Sequence, residues 1–257
     1  MTPLAVMAAA LAASALTFFT GFGLGTLLLP VFALFFPLQA AVAMTAVVHF
    51  ANGLFKLALL GRRARWGVVL RFGVPGMAAA LLGAELLLWM AQGTPLHTYS
   101  LAGRVHEVTL LKLVMAALMA GFALVEATGL LDGRSLPIRW LPAGGLLSGF
   151  FGGLSGHQGA FRSVFLLRAG LDKEAFVATG AAIAALVDVS RLGVYLRRWN
   201  DLDLRGHGAL VALAVLAAAT GALLGQRLLR KATLAGIQRA VSALLLGVAV
   251  LLATGIL

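Results

Sequence analysis

The first Lys, Arg, Asp or Glu of this chain is Lys56; from Met1 to Phe55 there is none. A soluble fold needs a solvated shell around its core, and so long an uncharged opening cannot supply one. The remainder of the chain repeats the pattern, with 11% charged against 61% hydrophobic residues and a mean hydropathy of +1.00. Its charges fall into short clusters such as Arg62-Arg63-Ala64-Arg65, Arg197-Arg198 and Arg230-Lys231. The stretches between them are long enough to cross about 30 Å of hydrocarbon as helices. These features predict an all-α polytopic membrane protein. The opening stretch also lacks a basic n-region, so its first apolar segment is expected to stay in the mature chain.

A formal net charge of +11 raises the question of a nucleic-acid partner. The basic residues form no continuous stripe interleaved with aromatics, and the excess of cations in membrane-flanking loops accounts for them. The chain has no cysteine, which excludes disulfides, thiolate metal sites and cysteine nucleophiles.

Apolar runs between the charge clusters predict about eight hydrophobic segments, near 3–36, 38–60, 68–91, 108–131, 141–167, 174–196, 208–229 and 236–257. The first and fifth are too long for one straight crossing at about 1.5 Å per residue. Each contains helix-weakening residues. Gly21-Phe22-Gly23-Leu24-Gly25 lies in the first, with Pro30 and Pro37 beyond it, and Gly152-Gly153-Leu154-Ser155-Gly156-His157-Gln158-Gly159 lies in the fifth. Broken or re-entrant helices are expected at both. By contrast, Gly221 and Gly225 read as small residues that let two helices approach.

The two glycine clusters belong to an internal repeat. "LQAAVAMT" at 38–45 matches "DKEAFVAT" at 172–179, and "KLALLGRR" at 56–63 lies over "RLGVYLRR" at 191–198. The chain therefore divides into a first transmembrane repeat over 1–131, a linker over 132–140 and a second repeat over 141–257. Orientation follows from the cations. Leaving out Lys56, Arg162, Arg191 and Arg239 as intramembrane candidates, 16 of the 20 remain for the loops. Single crossings by segments 1 and 5 would distribute them 9 to 7. Re-entrant hairpins instead gather Arg62, Arg63, Arg65, Arg71, Arg134, Arg139, Arg168, Lys173, Arg227, Arg230 and Lys231 on one side, an 11 to 5 split. The loop-charge rule favours the hairpins, which leave three crossings per half and make the repeats inverted.

Inverted repeats with helix breaks near the midplane aim half-helix N-termini into a shared cavity, a geometry suited to an anion. His49, Asn52 and Lys56 share one face of segment 2. Asp188 and Arg191 sit three residues apart in segment 6 and can neutralise one another, and an ionised pair inside a membrane marks a functional-site candidate. His157, Gln158 and Arg162 follow the second break and present a cation with two hydrogen-bonding groups. The substrate-binding candidates are thus Gly21, Phe22, Gly23, Gly25, His49, Asn52, Lys56, Ser155, Gly156, His157, Gln158, Gly159, Arg162, Asp188 and Arg191. Some have a structural counterpart reading: Lys56 as a side chain snorkelling to the interface, Asp188–Arg191 as a packing pair, the glycines as close-approach sites. Glu85 and Glu126 are candidates for proton relay or for structural pairing. The stretch 92–107, with His97 and His106, reads as a polar loop; two histidines without a third ligand make no metal site.

Two other classes are consistent with the residues. A passive anion channel could use the same groups without coupling. The Gly153-Leu154-Ser155-Gly156 run has the form found around the nucleophile of rhomboid-type intramembrane proteases, with His49 as the histidine on another helix. The alignment of Ser155 with Thr20 at the other break argues instead for a symmetric, non-catalytic hydroxyl.

The runs "TGFGLGTLLLPVFALFFPLQAAVAMTAVVHFANGLFKL" and "GFFGGLSGHQGAFRSVFLLRAGLDKEAFVATGAAIAALVDVSRL" resemble the sulfite exporter TauE/SafE family of membrane permeases. The resemblance covers nearly the whole chain through its duplicated plan. It implies transport of a sulfur-containing anion, such as sulfite or an organosulfonate, by a protein of two related halves. It carries over Gly21, Gly23, Gly25, Asn52, Lys56, Ser155, Gly156, Gly159, Asp188 and Arg191 as motif positions. The sequence departs from the more glycine-rich family pattern at His157-Gln158 and Phe161-Arg162. The expected protein is a permease without cofactor or catalytic residues, working by alternating access in a bacterial-type inner membrane. Its partners are a small anion and the lipid bilayer, with a homodimer compatible and nucleic acid excluded.

Overall fold

The computed structural model describes residues 2–17, 24–130, 135–198, 206–228 and 234–257. These form ten α-helices and one β-hairpin. In chain order the helices are α1 (Thr2–Thr17), α2 (Leu24–Ala33), α3 (Leu38–Leu60), α4 (Trp66–Ala91), α5 (Leu110–Thr128), α6 (Leu141–Ser155), α7 (Gly159–Leu166), α8 (Lys173–Arg197), α9 (Gly208–Leu228) and α10 (Leu234–Ala253). Among the described residues, four helical stretches are long and apolar enough to cross a membrane: Leu38–Arg63, Trp66–Ala91, Lys173–Arg197 and Gly208–Gly225. The chain is an all-α membrane protein with further, shorter apolar helices.

Local signals explain where the helices begin and end. Asp172 caps α8 by accepting a hydrogen bond from the Ala175 amide at 2.8 Å, and Thr109 caps α5 in the same way through Lys112. Gly129 closes α5 in the left-handed region at φ 60°. Pro37 does interrupt, as the N-cap of α3. Pro30 does not, because it lies within α2.

The fifth segment is divided into α6 and α7, and the chain reverses between them. Leu136, just before α6, donates its amide to the Val164 carbonyl near the end of α7 at 3.3 Å. A Cβ on Gly144 would run into the Phe165 ring. The end of α7 therefore returns to the start of α6. Arg63, just after α3, pairs with Glu174 at the start of α8 at 3.4 Å, while Arg197 at the end of α8 lies 3.8 Å from Glu85 near the end of α4. Thus α3 and α8 run antiparallel, and the loops preceding α4 and α8 share one end of the molecule.

Two close helix pairs organise the remainder. Gly145, Gly149 and Gly153 of α6 press against the backbone of Phe72, Gly76 and Ala80 of α4, in parallel and in four-residue steps. Gly221 and Gly225 of α9 press against Leu11 and Ala15 of α1, also in parallel. In both seams a methyl group would collide with backbone, so glycine sets the helix separation. The helix α2 ends near the start of α9, where the Phe36 ring meets His207 edge-on at 4.8 Å. Since α1 runs with α9, α2 runs back towards the end from which α1 came.

The stretch expected as a polar loop is instead an antiparallel β-hairpin, β1 (His97–Leu101) paired with β2 (Arg104–Val108). Ala102 at φ 51° and Gly103 at φ 76° make its two-residue turn. The Tyr99 hydroxyl donates to the Thr254 carbonyl, so the hairpin packs on the end of α10.

Candidate functional site

The reversal between α6 and α7 is built from polar contacts. Gly156 takes φ 78°, a left-handed cap, and its amide bonds the Gly152 carbonyl at 3.0 Å. The last carbonyls of a helix have no partner within it. Here α8 provides them: Arg191 Nη1 donates to the same Gly152 carbonyl at 3.1 Å, and the Tyr195 hydroxyl donates to Gly153 at 2.6 Å. The positive Arg191 thus sits at the negative end of the α6 dipole. From within α6, the Ser148 hydroxyl donates to the Gln158 carbonyl at 2.8 Å and closes the turn.

Asp188 is the hub of a buried network. Its Oδ1 accepts from Arg191 Nε at 2.9 Å and from Gln158 Nε2 at 3.2 Å, with Arg191 Nη2 at 2.7 Å. Its Oδ2 meets His49 Nδ1 of α3 at 2.7 Å. The other end of the Gln158 amide accepts from Arg162 Nη1 at 3.4 Å. Arg162 in turn lies beside Gly180 of α8, where a Cβ would stand 3.4 Å from its Nε. The Lys56 ammonium is buried, within electrostatic reach of the Arg162 guanidinium. Among the described residues, the buried charged side chains are three cations, Lys56, Arg162 and Arg191, and one carboxylate, Asp188.

The described start of α2 meets the tip of α6 at this network. A Cβ added to Gly25, at the start of α2, would stand 3.2 Å from the Gly156 carbonyl and 3.9 Å from the His49 ring. Hence His49, Lys56, Gln158, Arg162, Asp188 and Arg191 gather in one buried centre, with Gly25 and Gly156 at its edge. Gly159 opens α7 beside them. Gly21, Phe22 and Gly23 lie outside the described residues.

Other expected residues have structural partners. Asn52 accepts a hydrogen bond from Ser14 of α1 at 2.9 Å and ties α3 to that helix. Ser155 donates to the Phe151 carbonyl within its own helix and lies 3.2 Å from His157 Nδ1. His49, the histidine a protease would need as base, is bonded to Asp188 instead. The His157 ring is stacked on Phe122 of α5 at 4.7 Å and 7°. Burial of Lys56 is opposed to the snorkelling alternative. Glu85 is half-exposed beside Arg197, and nothing is described of the Glu126 side chain. Among the described residues, no group of three metal-ligating side chains occurs.

Sequence reading missed Ser148 and Tyr195. Tyr195 could have been found, since it follows Arg191 by four residues on the same helix face. Ser148 is seven residues before Ser155 on the face that carries the turn.

The family model described as sulfite exporter TauE/SafE matches residues 6–252, spanning both glycine-rich regions and the buried centre. The chain belongs to this family. TauE/SafE proteins are membrane transporters, so the small-molecule substrate, the lipid environment and the transport role hold for this member at that level. Comparison with curated proteins and with solved structures gives no match.

Proposed function

We propose that this TauE/SafE member is a permease that moves a small sulfur-containing oxyanion, such as sulfite or an organosulfonate, through the buried centre by alternating access. The observation that carries the reading is the charge of that centre, where, among the described residues, the buried cations Lys56, Arg162 and Arg191 gather with the Asp188 carboxylate where α2 meets the tip of α6. Buried cations are costly in hydrocarbon, and an anionic substrate offsets that cost. Two of the cations are held by neighbours, Arg191 on the α6 carbonyls and Arg162 on Gln158, so a ligand meets preorganised donors.

The element order supports two inverted repeats, α1–α5 over 1–131 and α6–α10 over 141–257. Exchanging the halves turns the α4/α6 seam into the α9/α1 seam and pairs α3 with its antiparallel counterpart α8. On this reading α3, α4, α5, α8, α9 and α10 cross the membrane, while α1–α2 and α6–α7 enter from opposite sides and turn back. At about 1.5 Å per residue the 15-residue α6 reaches roughly 22 Å, short of a full crossing. The Arg63–Glu174 contact supports the 11 to 5 distribution of loop cations, because it unites two loops that eight single crossings would separate. The cation-rich end is then cytoplasmic in a bacterial-type inner membrane.

Arg162→Ala tests the reading. The detergent-solubilised variant should stay folded and lose sulfite-dependent thermal stabilisation, which the parent protein should show for at least one of sulfite, sulfate, thiosulfate, taurine and sulfoacetate. A variant that binds as tightly as the parent removes Arg162 from the site.

A further inference from the structure

Helical hydroxyls in this protein usually bond back to a carbonyl one turn earlier. Ser155, Ser190, Thr220 and Thr254 donate to Phe151, Leu186, Leu216 and Val250. Thr45 of α3 does not, nor does Ser242 of α10. The Thr45 side chain is 1% exposed, and its Oγ1 has no hydrogen-bond partner. A buried hydroxyl without a partner is unfavourable, and a natural sequence seldom keeps one without a use for it.

The surroundings of Thr45 indicate that use. The Thr45 Cγ2 and the His49 ring both stand 3.9 Å from the position a Cβ would take on Gly25, in the first turn of α2, and the Gly156 carbonyl stands 3.2 Å from the same position. The Thr45 side chain therefore lies where α2 meets the tip of α6, one helical turn from His49 on the same face of α3. His49 is fixed through Nδ1 by Asp188, whose charge is matched by Arg191.

We propose that Thr45 is a substrate-binding and specificity-determining residue: its unpartnered hydroxyl, one helical turn from His49 at the buried centre, donates to an oxygen of the transported oxyanion. The inference rests on the permease reading and places one ligand within it. The site selects for an anion with a hydrogen-bond-accepting oxygen facing α3. In the absence of anion the hydroxyl is left without a partner, so the native residue exchanges stability for binding.

That exchange gives Thr45→Val a double signature. Replacing an orphaned hydroxyl by a methyl of similar shape should raise the melting temperature of the anion-free full-length protein, while removal of a hydrogen bond to a charged ligand should weaken sulfite binding roughly 10- to 100-fold. Thr45→Ser keeps the hydroxyl and should bind sulfite within about threefold of the parent on the same scale. Thr45→Ala is a second hydroxyl-free variant should valine disturb the fold. A packing role alone predicts unchanged affinity. If Thr45→Val or Thr45→Ala binds sulfite like the parent while Arg162→Ala does not, Thr45 is no ligand and the permease site stands. If the folded parent binds none of sulfite, sulfate, thiosulfate, taurine and sulfoacetate, the site reading and the Thr45 assignment fall together.

Discussion

The α6–α7 reversal and the start of α2 meet at one place but are built by different means. The first is a polar scaffold, in which Gly156, Arg191, Tyr195 and Ser148 together occupy the Gly152, Gly153 and Gln158 carbonyls. The second is largely apolar: Leu24, Gly25, Leu28 and Leu29 of α2 are buried, and the Thr45 side chain, whose methyl faces Gly25, carries a hydroxyl with no partner. A substrate bound between them finds one wall already satisfied and one wall short of a partner. The satisfied wall can hold its geometry through a transport cycle, whereas the other gains most from a ligand. On the inverted-repeat proposal, the two halves thus differ in chemistry where they touch the centre.

The largest effects are expected at the two glycine seams, which the inverted-repeat proposal makes equivalent. Gly149→Leu would drive a side chain into the backbone of Gly76, and Gly225→Leu into that of Ala15. Neither seam can yield without separating a helix pair, and overpacking of this size should abolish a monodisperse folded species in size-exclusion chromatography. Equal loss in both variants supports equivalent seams. A tolerated Gly225→Leu would show that the α1/α9 seam is looser and would break the proposed symmetry.

Next in size are substitutions in the polar scaffold. Arg191→Met leaves Asp188 with His49 and Gln158 but without its guanidinium, and removes the donor to Gly152. Breaking a buried pair by removing one partner should cost about 3 to 5 kcal/mol in thermal or denaturant unfolding. Tyr195→Phe removes only the bond to Gly153 and should cost about 1 to 3 kcal/mol. Both losses should appear without ligand, as expected for residues that hold the reversal. An Arg191→Met protein as stable as the parent would mean that Gly156, Tyr195 and Ser148 hold the reversal without Arg191.

Much of this was legible in the sequence, for reasons that particular residues make plain. Helix ends near 60, 91 and 197 follow from arginine clusters or polar turns, and Asp188–Arg191 follows from three-residue spacing on one helix. The Gly152–Gly159 run announced a break because so many weak helix formers in an overlong segment admit few alternatives. What stayed hidden depends on contacts distant in the chain. That Ser14 donates to Asn52 and that Phe122 stacks on the His157 ring could not be read from local spacing, because each partner lies more than 30 residues away in the chain. The β-hairpin was overlooked because His97, Arg104 and Glu107 make it polar, although Thr98, Tyr99, Val105 and Val108 favour strands and Ala102-Gly103 form the turn.

The smallest energetic effect belongs to the contact that best reports the arrangement of the chain. Arg63 and Glu174 are each more than half exposed. Removal of their pair through Glu174→Gln should therefore change stability by no more than about 1 kcal/mol. The same loop positions are nevertheless decisive for sidedness. In this cysteine-free chain, Arg63→Cys and Lys173→Cys should be labelled from one face of the membrane by an impermeant maleimide. Arg197→Cys and Arg104→Cys should be labelled from the other. Eight single crossings would put Arg63 with Arg197 and Lys173 with Arg104. Labelling in that second pattern would mean that α7 does not return to the side from which α6 enters, and the opposed hairpins with their shared cationic centre would have to be abandoned.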